Sequence, residues 1–136
     1  MSNKGKIMLF FGHKFIESAK FYHVFDIDAI MQTPPSSTIY LEFDEKNLDI
    51  INYLQDNKIR FMLKVKNITE LMYASALGAS YIHVEQKLAK TAQKIAENYL
   101  FDAKILVHVE DEEEIQEMAF LGIDGVVFAE AIVKIP

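Results

Sequence analysis

The chain contains no cysteine and no tryptophan, only three prolines and five glycines, and fewer basic than acidic residues. Without cysteine there is no disulfide, zinc ribbon, iron–sulfur cluster or thiol nucleophile. So little Gly and Pro excludes collagen-like and low-complexity chains. Fourteen Lys and Arg face twenty Asp and Glu, a net charge of −6, so no nucleic-acid partner is expected. Long apolar runs are missing too. The longest early one, Ile7-Met8-Leu9-Phe10-Phe11, is shorter than a signal-peptide core and far shorter than a membrane span, so a cytoplasmic protein with no membrane partner is expected. Walker loops, Gly-x-Gly-x-x-Gly turns and EF-hand loops are absent, and Ser36 and Ser37 lack the setting of a nucleophile elbow.

What is present suits one packed α/β domain over residues 1–136, with 51% hydrophobic and 25% charged residues. From Thr38 onward two periodicities alternate. Strand-like runs occur at 39–43, 61–65, 81–84, 105–109 and 125–128. Between them lie segments with helical spacing, such as Leu88, Ala92, Ile95, Ala96 and Tyr99, or less cleanly Leu48, Ile51, Tyr53 and Leu54. This alternation predicts mostly parallel, singly wound βα repeats, either half-barrel-like or an open sheet, with five to seven strands. Asn67 and Asp111 each stand three residues before a Glu, the pattern of a capping box. Gly78 and Gly122 fall where left-handed residues would stop the following helices. An offset of 44 superposes 61–85 on 105–129 without a gap, the pattern of an internal β-α-β repeat.

The N-terminal third is irregular. The segments 7–11 and 21–27 read as strands, but the nine residues between Phe11 and Phe21 are too few for an ordinary parallel crossover, so an antiparallel turn or a cramped helical turn is expected there. Thr33-Pro34-Pro35-Ser36-Ser37 reads as a loop. Asp26 and Asp28 serve equally well as rim carboxylates or as caps of the next turn.

Parity within the strands is the most informative feature. Leu41/Phe43, Leu63/Val65, Ile82/Val84 and Val107/Val109 share one face, while Glu42, Lys64 and Lys66, His83 and Glu85, and His108 and Glu110 share the other. That second face is apolar earlier on, at Tyr40, Met62, Tyr81 and Leu106. Helices are therefore expected on one side only, with a concave face that is apolar below and polar at the C-terminal ends of the strands.

The stretch 104–130, KILVHVEDEEEIQEMAFLGIDGVVFAE, resembles a strand-helix-strand segment of phosphate-binding (βα)8-barrel enzymes of the quinolinate phosphoribosyltransferase type. The likeness lies in a strand ending Val-His-Val-Glu, an acidic cap, and a Leu-Gly-Ile-Asp-Gly turn into an apolar strand. It implies the local barrel fold. No Gly-rich phosphate loop follows Phe128, where Ala129-Glu130-Ala131 stands instead, so no catalytic role is carried over.

The candidate rim for a ligand comprises Glu42, Lys64, Lys66, His83, Glu85, His108 and Glu110. No organic cofactor is expected. His83, His108, Glu85 and Glu110 form the set suited to a divalent metal, if the two His-x-Glu strands are neighbours; otherwise they are solvated or hydrogen-bonded side chains. Glu42 and Lys64 suit a cross-strand ion pair or a ligand carboxylate, and Lys64 a proton-transfer or Schiff-base role. Gly12-His13-Lys14 reads as a tight surface turn or an anion contact. The leading expectation is a non-catalytic homo-oligomer, a homodimer, whose polar concave face serves a partner or small polar ligand. The alternative is a small enzyme or metabolite-binding domain with its site at the same rim.

Overall fold

In the computed structural model, which describes residues 6–136, eight parallel strands form one sheet in the order β1-β7-β6-β5-β4-β3-β2-β8. These are β1 (Leu9–Phe11), β2 (Phe21–His23), β3 (Thr38–Glu42), β4 (Phe61–Lys64), β5 (Tyr81–Val84), β6 (Lys104–His108), β7 (Gly125–Val127) and β8 (Ile132–Lys134). Helices α1 (Ile27–Ile30), α2 (Leu48–Asp56), α3 (Ile68–Ala76), α4 (Gln86–Asn98) and α5 (Glu112–Phe120) connect β2 through β7. None of the described helices is long and apolar enough to cross a membrane.

The strand order itself forces curvature. β7 and β8 stand near opposite ends of the sheet, yet only residues 128–131 join them. Fully extended, that link reaches roughly 17 Å, whereas six strand spacings in a flat sheet would separate β7 and β8 by roughly 29 Å. The sheet therefore curls into a half-barrel with its ends drawn together. Phe11 on β1 and Phe21 on β2 meet inside, their ring centroids 4.8 Å apart. Phe128 donates its N–H to the Phe11 carbonyl, which continues the β1–β7 ladder one step past β7 to where the link to β8 begins.

Parity sorts the side chains as expected. Ile39, Leu41, Leu63, Val65, Ile82, Val84, Ile105, Val107 and Val109 lie in the core shared with the helices. Phe11, Phe21, Tyr40, Met62, Leu106 and Val127 form a separate apolar cluster on the inner face. Gly125 makes room in that cluster, since a Cβ there would meet the Leu106 side chain and Leu9 at 2.8 Å.

The helix ends follow from local chemistry. Asp111 and Glu114 form a complete capping box, and Asn67 accepts from the Glu70 N–H. The limits of α3 and α5 differ by 44 at both ends. On α4 the buried positions are Ala89, Ala92, Gln93 and Ala96, while Tyr99 lies outside the stripe, 68% exposed. Gln93 reaches the Asp of the Leu-Gly-Ile-Asp-Gly turn: Asp124 Oδ1 accepts from Gln93 Nε2 at 3.1 Å, and Asp124 Oδ2 from the Ile105 N–H at 2.9 Å. That carboxylate is a staple between α4, β6 and the start of β7.

Three expectations for the chain ends are corrected. β1 and β2 are not paired with each other. The link between them is neither an antiparallel hairpin nor a helical turn but a helix-free loop running between two parallel strands at opposite ends of the sheet. Curling shortens the distance it must cover. Strand β2 ends at His23 rather than continuing to Ile27, because the Asp26 carboxylate accepts from the Ala29 N–H and opens α1. The count of strands is eight, one beyond the upper expectation, since Ile132–Lys134 adds β8 beside β2.

Candidate functional site

Four adjacent strands deliver polar side chains to the inner face above the apolar cluster. Glu42 on β3 is opposite Lys64 on β4, and Lys64 is opposite His83 on β5. The stagger then climbs: His83 is opposite Leu106, so His108 on β6 stands two residues further along its strand. The imidazoles of His83 and His108 are nonetheless neighbours, with centroids 6.3 Å apart. Lys64 thus stands between Glu42 and His83, as it does when these strands follow one another in sequence order.

Three further side chains join this rim that strand-by-strand inspection does not single out. Tyr40, two residues before Glu42, places its hydroxyl 3.2 Å from His83 Nδ1. His23 is opposite Tyr40 on one side and Lys134 on the other, and its ring packs edge-on against Tyr40 at 4.9 Å. The available signal was parity: His23 stands two residues after Phe21 within the segment 21–27 that reads as a strand, whereas Ile132-Val133-Lys134 is a run of three, too short to announce one.

Burial and the neighbouring charges set the protonation of these groups. His83 is 5% exposed, and desolvation, followed by the charges of Lys64 and His108, holds its pKa down at about 3. The imidazole is therefore neutral. His23 is also lowered, first by burial; Glu42 opposes the shift, and Lys134 and Lys64 reinforce it. Burial and the nearby Glu42 push the Tyr40 phenol upward, so it stays protonated. In the tautomer that accepts the Tyr40 proton at Nδ1, His83 carries its own proton on Nε2 and presents a second donor.

Of the remaining sequence candidates, Lys66 and Glu85 turn away from this row, and Glu110 reaches it only through His108. Lys66 lies past the end of β4, largely exposed, and pairs with Glu70. Glu85 precedes α4 and pairs with Lys87 at 3.6 Å. Glu110 is exposed, and its Oε2 lies 3.5 Å from His108 Nε2. Among the described residues no three His, Asp or Glu side chains are grouped to hold a metal. Glu42 and Lys64, although opposite in register, form no ion pair within 4.0 Å, nor does Lys64 with any other described acid.

A separate cleft of about 740 Å³ opens beyond His108, between the loop after β1 and the start of α5, with His13, Lys14, Glu110, Glu113, Phe128 and Glu130 in its walls. His13 is held there by packing: its ring meets Phe10, Phe15 and Phe128, and its Nδ1 accepts from the Phe15 N–H. Compared with known proteins, the chain matches no family model and no curated protein.

Proposed function

We propose that this chain is a cytoplasmic, homo-oligomeric α/β protein, not itself catalytic, that holds a small polar ligand on the inner rim of its half-barrel. The observation that carries this reading is the polar row Glu42, Lys64 and His83 on adjacent strands, continued by His108 two residues further along the next strand, set above an apolar floor. Water-exposed strands would have no need of such a floor. A ligand site uses one to exclude water beneath a few oriented polar groups. Oligomerisation is favoured by the two end strands, β1 and β8, each of which pairs on one side only.

The resemblance of 104–130 to phosphate-binding barrel enzymes supports a βα-barrel setting for the site and brings no phosphoribosyl-transfer chemistry with it. A second reading, acid–base catalysis at the same rim, is favoured by one contact: a protonated phenol hydrogen-bonded to a neutral imidazole.

Thermal unfolding with small anions, neutral polyols and amines tests the ligand reading. At a hundredfold excess over Kd, one class should raise the Tm of the wild type by roughly 5–10 °C and leave a His108→Ala/Glu42→Gln variant nearly unmoved. The reading is lost if no class acts, or if both proteins respond alike. Light scattering on the same samples should give twice the 15.6 kDa chain mass, and a monomer at all concentrations would remove the oligomer from the proposal.

A further inference from the structure

Resting on the reading that this chain is a homo-oligomer, we infer that two copies meet at the seam of the half-barrel, each seating Phe15 and Lys14 of the loop after β1 in the acidic cleft of the other. That loop, residues 12–20, is held in one shape by its own polar atoms. The Gly12 N–H donates to Ser18 Oγ at 3.0 Å, the Phe15 N–H to His13 Nδ1 at 3.1 Å, and the Ile16 N–H to the His13 carbonyl at 3.1 Å. The turn so formed holds Phe15 out of the core, 74% exposed, with Ile16 beside it 41% exposed. Lys14 Nζ lies 5.1 Å from the centroid of the Phe15 ring, so ring and ammonium stand together as one cationic, apolar knob.

Beside the knob is a hollow of opposite character. The cleft of about 740 Å³ has His13 and Lys14 in one wall, and Phe128 adds an apolar surface to it. Five acids, Glu110, Asp111, Glu112, Glu113 and Glu130, face that one lysine. Two of them are engaged: Glu110 lies against His108, and Asp111 caps α5. The carboxylates of Glu112, Glu113 and Glu130 have no cationic partner among the described residues, and Lys14 pairs with none of them within 4.0 Å. Lys20 reaches Glu130 only at its main-chain carbonyl. The start of α5 tolerates this negative charge and does not neutralise it.

A knob and a hollow side by side on one face suit a two-fold axis, because the contact is then made twice, each copy giving and receiving. In the pair, Phe15 leaves water for the wall beside Phe128, and Lys14 meets the unpaired acids of the other copy. The loop leaves the end of β1, and Glu130 belongs to the link into β8. The contact therefore covers the seam between the two end strands. A nucleic acid would be repelled by these acids, and a small ligand in the cleft would leave Phe15 in water.

Sedimentation velocity over a range of protein and salt concentrations tests the inference, with circular dichroism to follow folding. The wild type is expected to be a dimer that weakens as salt rises. Phe15→Ala, Lys14→Glu and Glu113→Lys, all at exposed positions, should each weaken it roughly 10- to 100-fold and leave the circular dichroism unchanged. Mixed in equal amounts, Lys14→Glu and Glu113→Lys should recover the dimer, since both contacts then join opposite charges again. Lys94→Glu, exposed on α4, should leave the dimer as it was. If the wild type is a monomer at every concentration, the inference and the homo-oligomer reading fall together. A dimer that none of the three variants weakens keeps the oligomer and overturns this surface. Equal losses in Lys14→Glu and Lys94→Glu, or no recovery on mixing, would reduce the effect to overall charge and overturn the inference alone.

Discussion

At the end of β5 the His83 ring is 5% exposed, with the Tyr40 hydroxyl 3.2 Å from its Nδ1 and a lysine on the neighbouring strand. Its pKa of about 3 lies below the 6.5 of an unperturbed imidazole. Between those two values the unfolded chain binds a proton that the native chain does not, so stability rises with pH through this window. The contribution is complete above pH 6.5 and is lost as pH falls towards 3, at about 1.4 kcal/mol per pH unit. His23, lowered in the same direction, adds to the slope. Urea unfolding at pH 6.5 and pH 4.5 measures it. His83→Gln keeps a partner for Tyr40 but cannot titrate, so its loss of stability between the two pH values should be smaller than that of the wild type by roughly 2–3 kcal/mol. Equal losses would mean that His83 already titrates normally in the native protein.

Among the elements, the seam between β1 and β8 depends on one backbone position. Gly12 follows β1 with φ +87°, and a Cβ there would lie 2.8 Å from the Ala131 nitrogen and 3.2 Å from the Phe128 carbonyl oxygen. Both are backbone atoms of the link that closes the curl. Gly78 is the natural control: it stops α3 with φ +88°, and nothing lies within 4 Å of its missing Cβ. Gly78→Ala should therefore cost only the left-handed strain, about 1–2 kcal/mol. Gly12→Ala adds a backbone collision to that strain and should cost roughly 3 kcal/mol or more. Urea midpoints of the two variants give the comparison, and equal losses would show that the seam gives way at no cost.

The same seam marks the boundary of what could be read from the residues alone. The helix-clad and inner faces were legible, because the helix-clad face stays apolar to the end of each strand while the inner face, apolar lower down, turns polar at the C-terminal ends. Thus Leu41 and Leu63 separate from Glu42 and Lys64, and Asp111 and Gly122 mark helix ends through rules that act within a few residues. His23, Lys134 and the stagger between His83 and His108 were not legible. His23 and Lys134 depend on how strands of three residues pair near the end of a curled sheet, and the stagger on the register of β5 against β6; both are settled by the assembled sheet rather than by local pattern. Period-two parity holds only while the strand lasts: Lys66, Glu85 and Glu110 each lie beyond the end of their strands, where Lys66 and Glu85 turn to Glu70 and Lys87 while Glu110 stays beside His108.

For the molecule as a whole, the consequence that no local property can imitate is contact between residues at opposite ends of the sheet order. Phe11 belongs to the first strand of that order and Phe21 to the seventh. In a flat sheet they would stand roughly 29 Å apart, beyond the range at which substitutions influence each other. In the curled sheet their rings are 4.8 Å apart, and Tyr81 from the opposite wall packs edge-on against both, at 5.6 and 5.4 Å. A double-mutant cycle separates the two geometries. Leu is the better replacement, because Phe→Ala at a buried site costs about 3–5 kcal/mol, enough to unfold a domain whose total stability is about 5–15 kcal/mol. Phe11→Leu and Phe21→Leu should each destabilise, and the double variant should lose less than the sum of the two by roughly 0.5–1.5 kcal/mol, the worth of a packed aromatic pair beyond its buried area. Strict additivity in urea unfolding would place the two rings in separate surroundings. The inner floor beneath Lys64, His83 and His108 would then be open, and the water-excluding basis of the ligand site would go with it.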